Sequence, residues 1–456
     1  MYRIAKGDSA TKFLELHRKY GPLLRIAPNE VSVSDPAAIP HIYRHQNPLI
    51  KSDFYAAWSS GNAISNQPDL FSAVDEKWHA HLRRILNPVY ALSNIIKNEQ
   101  HIQNCTSMFV QKVRGFAERK ELMNIGDWAQ MYTFDVIGEL MFGEPFGFLE
   151  KEEDYGNLIS SLDAALPVLS VSAVAPAYYR PALMAASAFS PAVRRAVKAT
   201  QTVREASLDC VTKRKREIAK GSANRYDLLQ QLMDIVRDKG EKMNFSDKEV
   251  SLQAWQNMFA GSDTTAIEIR ASFYYLSRHP EWQRRVQEEL DAACDSISTP
   301  IKYTETMRLP ITCACIKEAM RLFPSVVTGF QRLAPKEGVD LLGKHIPEGY
   351  RMSMTPAVVH HHVETFGTDS DEYKPERWLV SEAQTKAMEK AILTFGGGTR
   401  GCAGKNIAQV EIFTVVPETL RYFNVEWPHK EDWKTSNHSF RKAEGLIFRI
   451  TERKSV

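Results

Sequence analysis

Apolar side chains recur at three- and four-residue intervals over several long stretches, most clearly at residues 247–280 and 407–423. That period marks helices that bury a face, so both stretches are predicted as long core helices. Extended segments are fewer: residues 23–26 and 31–33 flank a Pro-Asn-Glu turn, and 339–342, 350–354 and 445–450 read as short strands. The expectation is a mainly α fold with minor β, without the alternating βα units of a doubly wound sheet. No internal repeat, low-complexity tract or linker divides the chain, so residues 1–456 are expected to form a single large domain.

Composition narrows the function. With 43% hydrophobic and 25% charged residues the chain reads as an ordinary globular protein. A net charge of +3 supplies no broad basic face, which argues against a nucleic-acid partner. The six cysteines are scattered without framework spacing, so free thiols in a reducing compartment are expected. Residues 164–193 are apolar and poor in charge; a mobile cover over a pocket and an ordinary buried helix pair are equally compatible with that composition.

The densest chemistry lies in Phe395-Gly-Gly-Gly-Thr-Arg-Gly-Cys402-Ala-Gly404, just ahead of a helix predicted from about Lys405. Gly396, Gly397, Gly398 and Gly401 allow positive φ and close approach to a flat ligand. Cys402 near a helix N-terminus meets free N–H groups and the positive end of the dipole, which favours thiolate, the metal-binding form. Arg400 offers a planar fork suited to a carboxylate, and Phe395 could pack on the sulfur. Gly396, Gly398 and Gly401 also spell G-x-G-x-x-G, with an apolar run at 392–395 before them and Glu426 where a ribose contact would fall. Only 30 residues follow Glu426, too few to complete a dinucleotide-binding sheet.

A second stretch, Ala260-Gly-Ser-Asp263-Thr264-Thr265, is a poor helix former inside a good helix. Gly261 would let the backbone approach a ligand, and the Thr264 hydroxyl can bond the preceding turn and open a groove. Thr264 could then hold an oxygen molecule or a water, with Asp263 as a proton route from solvent.

Together these segments resemble the cytochrome P450 family, whose Phe-x-x-Gly-x-Arg-x-Cys-x-Gly signature is matched at all its defined positions and whose acid–alcohol helix motif is matched without departure. The resemblance implies a mainly α P450 fold with heme b held between the long central helix and the Cys402 loop. It implies Cys402 as the iron ligand, with Asp263 and Thr264 catalytic and Phe395, Arg400 and Gly404 against the cofactor. Glu318 and Arg321, three apart on one helix face, would form a buried structural triad with Arg377 of the Pro375-Glu-Arg-Trp378 segment. The usual Trp-x-x-x-Arg pair departs here, because Leu82 stands four residues after Trp78; His79 and Arg83 take its place as expected propionate ligands, with Arg332 as another. His360-His-His362 is expected to be loop and packing rather than a metal tract.

Arg400 and the Pro-Glu-Arg-Trp segment look like microsomal, fungal-type members. The implied activity is insertion of one oxygen of O₂ into a lipophilic small molecule, in secondary or xenobiotic metabolism, with electrons from NADPH through a flavoprotein reductase. That partner would dock near Arg84 and Lys405. The pocket is expected among residues 53–70, 164–193, Ala260, Val326, Val327 and Phe330. A heme-thiolate isomerase or peroxygenase independent of NADPH is the alternative within the family. No apolar run near Met1 is long enough to span a bilayer. An anchored form would sit on the cytosolic face of the endoplasmic reticulum with peripheral membrane contact, and the chain as it stands would be a soluble intracellular protein.

Overall fold

The computed structural model describes residues 1–59, 63–186, 189–222 and 225–453. Seven helices position the site: α1 (Glu76–Leu86), α2 (Ile125–Ile137), α3 (Leu158–Val174), α4 (Pro191–Ala219), α5 (Asp247–Arg278), α6 (Pro310–Leu322) and α7 (Lys405–Tyr422). The α5 start is set by a capping box, in which Ser246 N–H donates to the Glu249 carboxylate at 2.8 Å and the Ser246 hydroxyl accepts from Lys248 N–H at 3.3 Å. Pro280 opens the next helix, so α5 stops two residues short of the predicted end. Residues 265–274 of α5 and 410–420 of α7 are buried on every side. These two helices are therefore the interior of the molecule rather than amphipathic surface elements.

Eleven strands occur among the described residues: β1 (Leu23–Ala27), β2 (Glu30–Val33), β3 (Leu122–Asn124), β4 (Arg332–Leu333), β5 (Val339–Leu341), β6 (Lys344–Ile346), β7 (Arg351–Met354), β8 (Phe423–Glu426), β9 (Lys434–Asn437), β10 (Arg441–Glu444) and β11 (Ile447–Glu452). They form a β1-β2-β7-β4 sheet, a β3-β11-β8 sheet and two hairpins. All five predicted strands are present. The six unpredicted ones are two to four residues long, too short for alternation to show in sequence. Residues 392–395 form no strand, and Glu426 ends β8 beside Arg449, which removes the dinucleotide-fold alternative.

The apolar stretch 164–193 starts inside α3; residues 187 and 188 lie outside the described residues. Its Leu166 and Ala173 are buried against Phe54, Tyr55 and Trp58. Among the described residues, Tyr155–Val174 is the helical segment long and apolar enough to cross a membrane.

Behind the cysteine loop lies a buried ion network. Glu318 on α6 accepts from Arg321 at 2.7 and 2.9 Å, from Arg377 at 2.8 Å, from the Trp378 indole at 2.8 Å and from Lys374 N–H at 3.0 Å. Burial would push its carboxyl up, but the Arg321 and Arg377 guanidiniums outweigh it and hold the group below the usual carboxylate range. Arg321 is fully buried and also donates to the carbonyls of His360 and Ser370 at 2.7 Å. His360 extends the network: Nδ1 bonds the Arg321 carbonyl at 2.9 Å while Nε2 accepts Leu393 N–H at 2.8 Å, two residues before Phe395. Arg377→Ala leaves part of the Glu318 charge uncompensated, a loss of about 3–5 kcal/mol for a buried pair. The expected outcome is protein without heme, read as the heme-to-protein ratio after purification; a full complement of heme would refute it.

Candidate active site

A cavity open to solvent runs between α5 and the loop ahead of α7. Cys402 is on its wall, opposite α5 residues Ala260, Gly261 and Thr264. The loop is closed by Cys402 N–H donating to the Phe395 carbonyl at 2.8 Å, and Phe395 and Gly404 share the cavity wall. Gly396 and Gly398 have φ of 70° and 65°, whereas Gly397 and Gly401 do not use the left-handed region. Gly398 is the constrained position, since a Cβ there would meet the Tyr43 and Arg44 carbonyls at 2.5 and 2.8 Å.

Burial pushes the Cys402 thiol up. The N–H groups of Gly404 and Lys405 and the charges of Arg83 and Lys405 pull it back only in part. The helix-end argument from sequence thus explains a share of the sulfur's environment, and a metal cation at the sulfur would be needed for the rest.

On the facing helix, the Thr264 hydroxyl donates to the Ala260 carbonyl at 2.9 Å while α5 stays unbroken, so the expected local opening is absent. Gly261 serves close packing, because a Cβ would meet Ile137 of α2 at 2.7 Å. Asp263 does not line the cavity. It turns to the other side of α5, where Oδ1 accepts from Gln130 at 3.2 Å and pairs with Lys442 at 3.1 Å. Gln130, Arg270 and Lys442 line a second, polar cleft there. Acid and alcohol therefore lie on different sides of α5, one residue apart, the acid buried behind residues that line the second cleft.

The other end of the cavity carries a cluster of cations: Lys51, Arg83, Arg332 and Arg400, with His79 among them. The α1 N-cap, Asp75 accepting Trp78 N–H at 2.6 Å, sets the helix so that His79 and Arg83 share a face. Burial first, then the neighbouring cations, push His79 down to about 3, so its ring is neutral. Arg83 donates to the Gly401 carbonyl at 2.9 Å and Arg332 to the Tyr55 hydroxyl at 2.8 Å. Arg400 departs from expectation: its guanidinium is occupied by Glu76, at 2.5 Å, and by the Ala73 carbonyl, at 2.7 Å. Trp78 bonds the Pro68 carbonyl instead of facing the cavity.

Sequence reasoning missed Lys51, which burial and the charges of Arg400 and Arg332 push well below the usual lysine range. A lone lysine among apolar neighbours carries no motif, so only the tertiary structure reveals it. Arg83, Arg332 and Arg400, with a Lys51 that a neighbouring carboxylate would recharge, outnumber Glu76 and Asp69, so this end suits the carboxylates of a heme, and a sulfur and a narrow glycine loop suit its metal and its flat ring. The residues present fit that group.

The substrate wall is corrected in two places. Val326 and Phe330 line the cavity, but Val327 points the opposite way into a cluster with Ala10 and Ala357, as alternation along an extended segment requires. Nothing from the described part of 164–193 lines the cavity; α3 packs as a second layer behind Phe54, Tyr55 and Trp58, which do. The 53–70 segment thus contributes as expected, with residues 60–62 outside the described residues.

Comparison with known proteins agrees with this arrangement. The family model for cytochrome P450 matches residues 2–451. The cytochrome P450 monooxygenase gsfF of Penicillium aethiopicum is 38% identical over 99% of this chain and 90% of its own length. Cytochrome P450 monooxygenase ACRTS1 of Alternaria alternata is 33% identical over 82% of this chain and 99% of its own, and cicH of Emericella nidulans 33% over 99% and 90%. With likeness of that extent running through the cysteine loop and the helix that faces it, the chain belongs to the cytochrome P450 family of heme-thiolate monooxygenases.

Proposed function

We propose that residues 1–456 form one catalytic domain that oxidises a lipophilic product of fungal secondary metabolism, by hydroxylation or by a related desaturation or coupling. The observation that carries this reading is the cavity itself, with Cys402 on one wall and Thr264 on the other. Heme bound there supplies the activation of O₂ and the oxidising power. Cys402 would ligate the iron, and Arg83, Arg332, Lys51 and Arg400 would hold the propionates around a neutral His79. Arg400 would do so from its place beside Glu76.

The chain's own part is control of protons and of substrate position. Thr264 presents its hydroxyl oxygen to the cavity while its proton is bound to Ala260, so it can accept a hydrogen bond from a water there. Asp263 would gather protons from the polar cleft through Lys442 and deliver them toward the cavity, while the Gln130 amide holds the carboxylate in place. Electrons would come from NADPH through a flavoprotein reductase docking near Arg84 and Lys405, both of which are exposed. Peripheral contact with the cytosolic face of the endoplasmic reticulum would use Tyr178, Tyr179 and Phe189, which are 77, 54 and 87% exposed.

The purified holoprotein, reduced under carbon monoxide, is expected to show the red-shifted Soret band of thiolate ligation, lost in Cys402→Ser. In the same assay Thr264→Ala should keep the band and consume NADPH with less product. Turnover without NADPH, unaffected by Thr264→Ala, would instead identify an isomerase or peroxygenase. Reductase-supported turnover should fall as salt rises, and insensitivity to ionic strength would remove the docking surface. Vesicles of endoplasmic-reticulum lipids should carry the protein to the top of a flotation gradient, and less so after Phe189→Ser; a protein that stays at the bottom would refute the contact.

A further inference from the structure

One carboxyl on the cavity wall has no part in the chemistry above. Glu268 follows Thr264 by one turn on the same face of α5, lines the cavity and is 2% exposed. Its Oε1 accepts Ser325 N–H at 2.8 Å, whereas its Oε2 has no partner in the protein. On this wall of α5, Asn257 donates to the Tyr90 hydroxyl at 2.6 Å and Gln256 to Asp69 at 3.3 Å, whereas the Trp255 indole N–H is likewise without a partner. Elsewhere on the cavity wall the Trp58 indole N–H, the Thr394 and Ser439 hydroxyls and the Glu411 carboxyl, on α7 at the Cys402 side, also lack partners; Glu268 carries the unpartnered carboxyl oxygen on the α5 wall.

Burial pushes the Glu268 carboxyl up to about 8, more than Ser325 and the charge of Arg441 pull it down. It is therefore a neutral acid at neutral pH. With Oε1 already accepting, the proton resides on Oε2, which makes that atom a buried donor without an acceptor. A leucine would fill the place without that cost, so the acid is suited to a partner that arrives with the ligand. The surroundings restrict the partner. Phe54, Phe259, Val326 and Phe440 make most of the remaining lining apolar and aromatic, with the Trp58 indole N–H and the Ser439 hydroxyl as further polar groups. The buried guanidinium of Arg441, whose charge acts on Glu268, opposes a cationic amine.

We propose that Glu268 is a substrate-binding residue whose Oε2–H donates to a carbonyl oxygen on an otherwise apolar, aromatic substrate. This rests on the reading of the cavity as the substrate pocket of the monooxygenase and adds the polar function that its substrate carries. An unmet acid discriminates between ligands that differ in one oxygen, because only the ketone satisfies it.

The test uses holoenzyme and matched ligand pairs: fluorenone with fluorene, anthraquinone with anthracene, and xanthone with xanthene. Dissociation constants come from the substrate-induced Soret shift and from equilibrium dialysis. Wild-type protein should favour the ketone of a pair by about tenfold, the worth of one hydrogen bond. Glu268→Leu should abolish the preference. Glu268→Gln, which can still accept from Ser325 and donate from its amide, should retain most of it. If Glu268 only anchors Ser325, Glu268→Leu weakens both members of a pair equally and the ratio stands, which overturns the proposal. A wild-type pocket without preference, or one that binds no member of any pair, overturns it as well. The reduced carbon monoxide spectrum of the same preparation separates the two levels: an absent thiolate band sinks the monooxygenase reading, while a normal band without discrimination sinks this subsite alone.

Discussion

The structure turns on a single buried carboxylate. Glu318 has no access to water, and it is tolerated because five donors converge on its two oxygens: Arg321 twice, Arg377, Trp378 and a backbone N–H. Those donors come from α6 and from the segment after residue 370, so the charge ties together parts of the chain that share no regular element. The connection continues through His360, whose ring joins Arg321 to the backbone of Leu393. The position of the sulfur loop is thus inherited from an ion network that it does not itself touch.

Much of this was legible in the sequence, and the reason is locality. The glycines, Arg400 and Cys402 lie within one short loop, and Asp263 and Thr264 are adjacent in one helix, so spacing alone brings each set together. Glu318 and Arg321 were readable as a pair, but Trp378 and His360 complete the network across long chain separations that no period encodes. The errors share that cause. The part of 164–193 that lies in α3 is apolar because it packs behind the aromatic wall, not because it faces the ligand. Val327 is as apolar as Val326, and only the direction of the extended backbone separates them. The commitment of Arg400 to Glu76 likewise depends on where α1 docks.

Charge is handled differently at the two ends of the cavity. Around Lys51, Arg83, Arg332 and Arg400, cations are gathered against their mutual repulsion, with Glu76 and Asp69 compensating only part of the excess. Across the middle of α5 the wall is mostly apolar or internally paired, Glu268 and the Trp255 indole excepted, and Asp263 is buried on the other side of the helix beside Lys442. One end therefore attracts carboxylates, while the rest excludes charge and leaves the choice of substrate to shape and to few hydrogen bonds.

The contact between Gly398 and the carbonyls of Tyr43 and Arg44 joins positions separated by most of the polypeptide. Such a contact closes a very long loop, and its ordering entropy is recovered only when the intervening helices have already packed. During synthesis the first fifty residues must wait for the last sixty before the loop that faces them exists. Cofactor capture is accordingly a late event in the life of the nascent chain, and a ribosome that stalls before α7 leaves a product lacking one of the two interior helices together with the thiolate site.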